Sequence, residues 1–264
     1  MPKKPKKLTK QEKRALKAAP RGPKVGQDPS PEGSARSREP LRSARGVKLV
    51  EAVSTPPLKL DLGCGQNPKE GFEGVDIRGG KAVHVCDLFK FPWSFADSSV
   101  EEIHTSHFLE HVPAREIEER DLLPPKEVPD LESAMDALRT RFLGQDMLFA
   151  FMDECYRILK PDSWMHVVVP SGRSNRAFWD PTHRRFFMQE TFLYFNADWR
   201  KSQGLDHYRV GCHFSVDVGH SMPQEEGLRS PEAQAQRVMT LWNVTADWIA
   251  KLKKLAAPQG PPSA

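Results

Sequence analysis

The segment Leu58-Lys-Leu-Asp-Leu-Gly-Cys-Gly-Gln-Asn-Pro68 constrains the chain more than any other. A short apolar strand runs straight into a turn carrying Gly63 and Gly65. Neither glycine has a Cβ to block a sharp bend or the close approach of a ligand to the backbone. Asp61 stands two residues before the first glycine, and Asp76 closes the next apolar run, Glu73 to Ile77. An acid at that place can accept hydrogen bonds from both hydroxyls of a ribose. The third glycine of a dinucleotide loop is missing, because Pro68 stands in its place. That departure disfavours a diphosphate, which needs a helix N-terminus packed beneath it. It suits a nucleoside with a cationic amine, for which Asp61 supplies a counter-charge.

The texture downstream supports an α/β domain. Strands are expected at Leu58 to Leu62, Glu73 to Ile77, Ala82 to Cys86, Val100 to Ser106 and Trp164 to Val169, the last Val-rich enough to suggest burial on both faces. Met147 to Leu159 has helical spacing, with Lys160-Pro161 as its stop signal. Residues 113–146 are longer than a simple connection needs and read as a lid or helical insertion, in which Leu131, Met135, Leu138 and Phe142 share one face. Tyr208 to Val218 and Arg237 to Leu252 read as the last two strands, the second equally as a terminal helix.

Further pieces arrive in order: Gly74-Val-Asp76-Ile77, Cys86-Asp-Leu88, Ser106-His-Phe-Leu-Glu-His-Val112 and Arg157-Ile-Leu-Lys-Pro161. Together with Leu60-Asp-Leu-Gly-Cys-Gly65 they resemble class I S-adenosylmethionine-dependent methyltransferases, in particular the small-molecule, ubiquinone-biosynthesis-like (type 11-like) branch. The resemblance implies a Rossmann-like, doubly wound, mostly parallel seven-stranded sheet with helices on both faces, over residues 56–255. It implies S-adenosylmethionine as cofactor, with Gly63, Cys64 and Gly65 against the methionine moiety and Asp61 near its ammonium, directly or through water. Asp76 and Ile77 would meet the ribose, Asp87 and Leu88 the adenine, and Ser106 would border the methyl group beside His107.

Methyl transfer from a sulfonium needs alignment above all, and a base when the acceptor is a hydroxyl or acidic carbon. His107 and His111, four apart with Glu110 beside them, are the candidate catalytic residues. Asp180, His183 and Arg184, in Trp179-Asp-Pro-Thr-His-Arg-Arg-Phe186, are candidates for the acceptor side, Asp180-Pro181 also reading as a helix start. No metal is expected, since nothing in the spacing of His111, Asp180 and His183 requires one.

Charge bears on the acceptor. Residues 1–48 hold 15 Lys or Arg and four acids, +11 in a chain whose total is +4, so the remainder is about −7. The first 50 residues therefore read as a disordered basic tail and 256–264 as a disordered C-terminus. An acidic folded part argues for a small-molecule acceptor rather than a nucleic acid. RNA or protein methylation recruited through the tail, a non-catalytic cofactor-binding relative and a nicotinamide-dependent oxidoreductase are the alternatives. Cys64, Cys86, Cys155 and Cys212 form no C-x-x-C pair, and no apolar run is long enough to span a membrane. A cytoplasmic protein is expected, or a nuclear one if the basic start is a localisation signal; the oligomeric state is not legible.

Overall fold

The computed structural model describes residues 56–205 and 207–257. The tail expected over 1–50, and 258–264 of the expected C-terminal end, lie outside the described residues. Seven strands form one sheet in the order β3-β2-β1-β4-β5-β7-β6. They are β1 (Lys59–Leu62), β2 (Glu73–Asp76), β3 (His84–Val85), β4 (Val100–Ser106), β5 (Leu159–Pro170), β6 (Phe214–Ser221) and β7 (Asp247–Lys254). The first five pair in parallel, and β7 runs antiparallel to both β5 and β6. This is the mostly parallel seven-stranded α/β fold that the motif order implies.

Helices gather in the later part of the chain: α1 (Leu131–Phe142), α2 (Met147–Ile158), α3 (Arg176–Trp179), α4 (Ala197–Ser202), α5 (Gln224–Gly227) and α6 (Pro231–Thr240). Asp130 and Asp146 start α1 and α2 by accepting from Ser133 N and Leu148 N. Helix α1 lies inside the expected insertion. Its Phe142 is buried and stacks on Phe91, with ring centroids 5.3 Å apart, while Leu131 at the other end is exposed. Helix α2 buries Met147, Ala150, Phe151, Cys155 and Ile158 in one core with Leu60, Leu62, Ile103, Met165, Val167, Ala250 and Leu252 from the sheet. No helix of the described residues is long and apolar enough to cross a membrane.

The opposite face of the sheet is different. Register places Lys59, Glu102, Trp164, Lys253 and Ser215 side by side across five strands, and Asp61, His104, His166, Lys251 and Asp217 in the next row. Lys59 meets Glu102 at 2.6 Å, His104 meets Asp61 at 2.7 Å, and His166 lies 3.3 Å from Glu102. The two-sided burial expected of β5 is therefore corrected: Met165, Val167 and Val169 are fully buried, while Trp164 is exposed and His166 and Val168 are half-buried. The reason lies in the connections. Residues 63–72, 77–83 and 86–99 join β1 to β2, β2 to β3 and β3 to β4 without a helix.

Two C-terminal expectations also shift. The stretch read as one strand or one helix contains both, α6 ending at Thr240 and β7 beginning at Asp247. The penultimate strand is Phe214–Ser221, six residues later than its expected start.

Candidate active site

The first half of the site lies at the carboxyl ends of β1, β2 and β3. Gly63 and Gly65 adopt φ of 70° and 56°, a region that favours glycine. A Cβ on Gly63 would fall 2.2 Å from Cδ2 of Phe108, whose ring stacks on Phe89. A Cβ on Gly65 would meet nothing within 4 Å. Gly63 is thus required by packing, and Gly65 offers its backbone to open space.

Each carboxylate here is already tied to the chain. Asp76 accepts from Gly65 N and Arg78 N, both at 2.9 Å, which ties the tip of β2 to the glycine turn. Asp87 accepts from Phe89 N at 3.0 Å. Asp61 is buried, receives Lys69 N at 2.8 Å and pairs with His104 Nδ1 at 2.7 Å. It anchors the far end of the turn. Ile77 is exposed at the rim, whereas Leu88 faces inward and is 3% exposed, part of the core rather than of an open adenine face. Cys64 packs under Gly74, where a Cβ would lie 2.6 Å from its Sγ. Burial, then the charges of Asp61 and Asp76, push the Cys64 thiol up; burial and Asp87 take Cys86 to about 11. Both thiols stay protonated near neutrality.

The second half lies beyond β4. Ser106 ends that strand half-buried, and His107 N donates to Val168 O at 2.9 Å. His107 has φ 53°, and the chain then makes one 3-10 turn, Leu109–His111, rather than the longer helix that would put His107 and His111 on one face. His107 Nδ1 instead sits 3.3 Å from Oε1 of Glu110. That contact, opposed by burial, raises the pKa of the imidazole.

His111 turns toward residues 180–186. Its ring packs edge-on against His183, centroids 4.7 Å apart, and its Nδ1 lies 3.0 Å from Thr182 Oγ1. Asp180 is not the helix cap expected: no helix begins at Pro181. Its Oδ1 accepts from Thr182 N and Oγ1 at 2.7 and 2.6 Å, closing a tight Asx turn that also holds its carboxyl below the usual range. The turn is clamped onto the 3-10 segment because Arg184 N and Arg185 N both donate to Glu110 O. Arg185 is spent on Val112 O, Pro113 O and Asp146, while Arg184 bonds Pro181 O at 2.8 Å and lines a cleft of about 470 Å³ with His111, Pro113, Ala114, Arg115 and Thr182. A separate apolar cavity of about 520 Å³ opens beside Arg185, lined by Phe149, Phe187, Tyr194 and Tyr208.

One residue of this site, His104, was not singled out from the sequence, and Glu110 was noted only as a neighbour of the two histidines. His104 shares a face with Glu102 by strand alternation, and that was the available signal. Glu110 is 2% exposed, an acid set among Phe108, Leu109 and Val112.

Among solved structures, the chain is similar to an S-adenosylmethionine-dependent methyltransferase from Archaeoglobus fulgidus, with 18% identity over 75% of this chain and 86% of that one and a TM-score of 0.44. It is also similar to an S-adenosylmethionine-dependent methyltransferase from Mesorhizobium loti (10% identity, 75% and 90% covered, TM-score 0.40). A third is the Haloferax volcanii complex between the Trm112 methyltransferase activator and a putative methyltransferase (11% identity, 77% and 84% covered, TM-score 0.39). No family model matches the sequence. No curated protein matches it either.

Proposed function

We propose that this chain is an S-adenosylmethionine-dependent methyltransferase with a small-molecule acceptor. The observation that carries the reading is the tie between the glycine turn and the tip of β2, Gly65 N to Asp76 Oδ2, with open space above Gly65. The donor set fits a nucleoside without phosphate: carboxylates end β2 and follow β3, an exposed Ile77 lies beside them, and no helix N-terminus follows the glycines.

The cofactor would bring a methyl group on a cationic sulfur, open to in-line displacement. This chain's residues would bind and orient it. The Gly63–Gly65 backbone and Cys64 border the methionine part, and the lone pairs of Asp76 not used on Gly65 and Arg78 take the ribose hydroxyls. Asp87 accepts from the adenine amine, and Ile77 covers an apolar face. Asp61 keeps the turn in shape through Lys69 N, an indirect role in place of a direct ammonium contact. Ser106, His107 and Glu110 stand where the acceptor meets the methyl group. His107, its proton affinity lifted by Glu110, is the candidate to hold the acceptor's proton. Asp180, His183 and Arg184 shape the acceptor side.

The test is twofold. Calorimetry is expected to show S-adenosylmethionine binding and none of NAD, and methyl-labelled cofactor is expected to turn over with an acceptor identified by mass spectrometry of co-purified small molecules. Binding of NAD alone would reject the reading.

A further inference from the structure

We infer that Glu110, His111 and His183 form a binding site for a divalent first-row transition metal. Each residue offers one ligating atom, and the three atoms lie within 4.8 Å of one another. His111 and His183 are 72 positions apart, so spacing in the sequence is silent about them.

The hydrogen bonds decide where the protons sit. His183 Nδ1 lies 2.8 Å from the carbonyl of Ala177, which can only accept, so that nitrogen carries the hydrogen. Asp180 can only accept as well, so it takes the single hydroxyl hydrogen of Thr182 at 2.6 Å. The Thr182 oxygen must then accept from His111 Nδ1, 3.0 Å away. In its neutral form each ring is therefore left with a lone pair on Nε2. Outer hydrogen bonds of this kind fix the tautomer and orientation of metal-ligating histidines.

The third group points the same way. Glu110 is 2% exposed, and neither carboxylate oxygen has a hydrogen-bond partner among the described residues. An ionised carboxylate so buried is costly unless a cation compensates it. His107 Nδ1, at 3.3 Å, faces Oε1 and leaves Oε2 without a partner. Three acceptors with no donor between them call for a cation.

Two imidazoles and a carboxylate suit zinc, iron, manganese or cobalt. Three protein ligands leave a position open for an exogenous oxygen, and His111 also lines the cleft with Pro113, Ala114 and Arg184. The ligand class is a hydroxyl or anionic oxygen. This deepens the acceptor side of the proposed methyltransferase: His111 becomes a ligand, and His107 alone remains to hold a proton.

The experiment titrates Co²⁺ into the tag-free full chain after chelator treatment, without any nucleoside, and reads the visible absorption of bound cobalt and its displacement by Zn²⁺. One Co²⁺ per chain is expected. Affinity should fall at least about tenfold in H183A and in E110Q, and about 10- to 100-fold in T182V, which removes the support of His111 and one of the two Thr182 bonds to Asp180 but no proposed ligand. H220A, remote from the cluster, should bind as the parent does. Absence of saturable cobalt binding, or parent-like affinity in H183A, would overturn the assignment. If E110Q does not fold, H183A and T182V carry the decision. S-adenosylmethionine calorimetry on the same stripped protein reads the methyltransferase proposal separately, so either can fail without the other.

Discussion

The two halves of the site treat their carboxylates in opposite ways. On the glycine-turn side, Asp61, Asp76 and Asp87 all accept backbone N–H groups, and each bond pins a loop. Across β4, Glu110 is buried with no backbone N–H on either oxygen and only His107 Nδ1 facing Oε1, at 3.3 Å, and the bonds that organise its surroundings run through its carbonyl instead. A satisfied acid mainly shapes the chain, and its removal loosens structure. An unsatisfied acid is held in place by its neighbours at an energetic cost, and such a cost is kept where something outside the chain relieves it.

The largest expected effect tests the shaping role. Gly63→Ala forces a side chain into the left-handed region and against a Phe108 ring fixed by Phe89 and Phe151. A loss of about 3 kcal/mol or more is expected from strain and overpacking together, read by denaturant unfolding; a parent-like midpoint would break the contrast. Asp76→Ala comes next. It should weaken S-adenosylmethionine binding by about 1.5–3 kcal/mol if the carboxylate makes charge-assisted bonds to ribose, and an unchanged dissociation constant would refute that role. Glu110→Gln should do the reverse of Asp76→Ala for the metal-free fold at alkaline pH, where His107 no longer carries a proton for Glu110 to face: a melting temperature unchanged or raised, by the equivalent of no more than about 1 kcal/mol, because a buried charge without a partner is removed. A marked drop would mean that Glu110 shapes the chain after all.

The smallest effect is on pH. His107 faces Glu110, Asp247 and Arg176, and contact with Glu110 raises its pKa above the ordinary 6.5. The pair's contribution to stability is full below that ordinary value and is lost as pH rises through the raised one. A melting curve series across neutral to mildly alkaline pH should show this loss, and His107→Gln should flatten it.

Much of this was legible before any coordinates. Val100–Ser106 and Leu131–Phe142 have the bounds read from the sequence: the strand buries Val100, Ile103 and Thr105, and the helix turns the Phe142 end of its marked face into the core. Elsewhere one signal carried two meanings. Lys160-Pro161 ends α2, yet β5 already begins at Leu159, since a strand whose neighbouring register is irregular at Val100/Glu102 tolerates proline there. Helix α6 has no fully buried residue and sets only Val238, half-buried, against the core, so periodicity had little core face to report; the Ser230-Pro231 cap was its clearest mark. The pairing of His111 with His183 depends on two distant loops meeting, which no local pattern encodes. The polar face of the sheet followed from connections without helices between β1 and β4, and its ladder of charged and imidazole groups appeared only once strand order was known.

The ten-residue link between β1 and β2 has a kinetic corollary. A helix in that place would pair its amides in one continuous ladder, whereas this link holds them in separate bonds: Gly63 and Cys64 to Val75 O, Asn67 and Phe72 within its own turns, Gly65 to Asp76 and Lys69 to Asp61. Its amides should exchange with deuterium through small local openings, and any ligand that seats on the turn should slow that exchange in proportion to its occupancy.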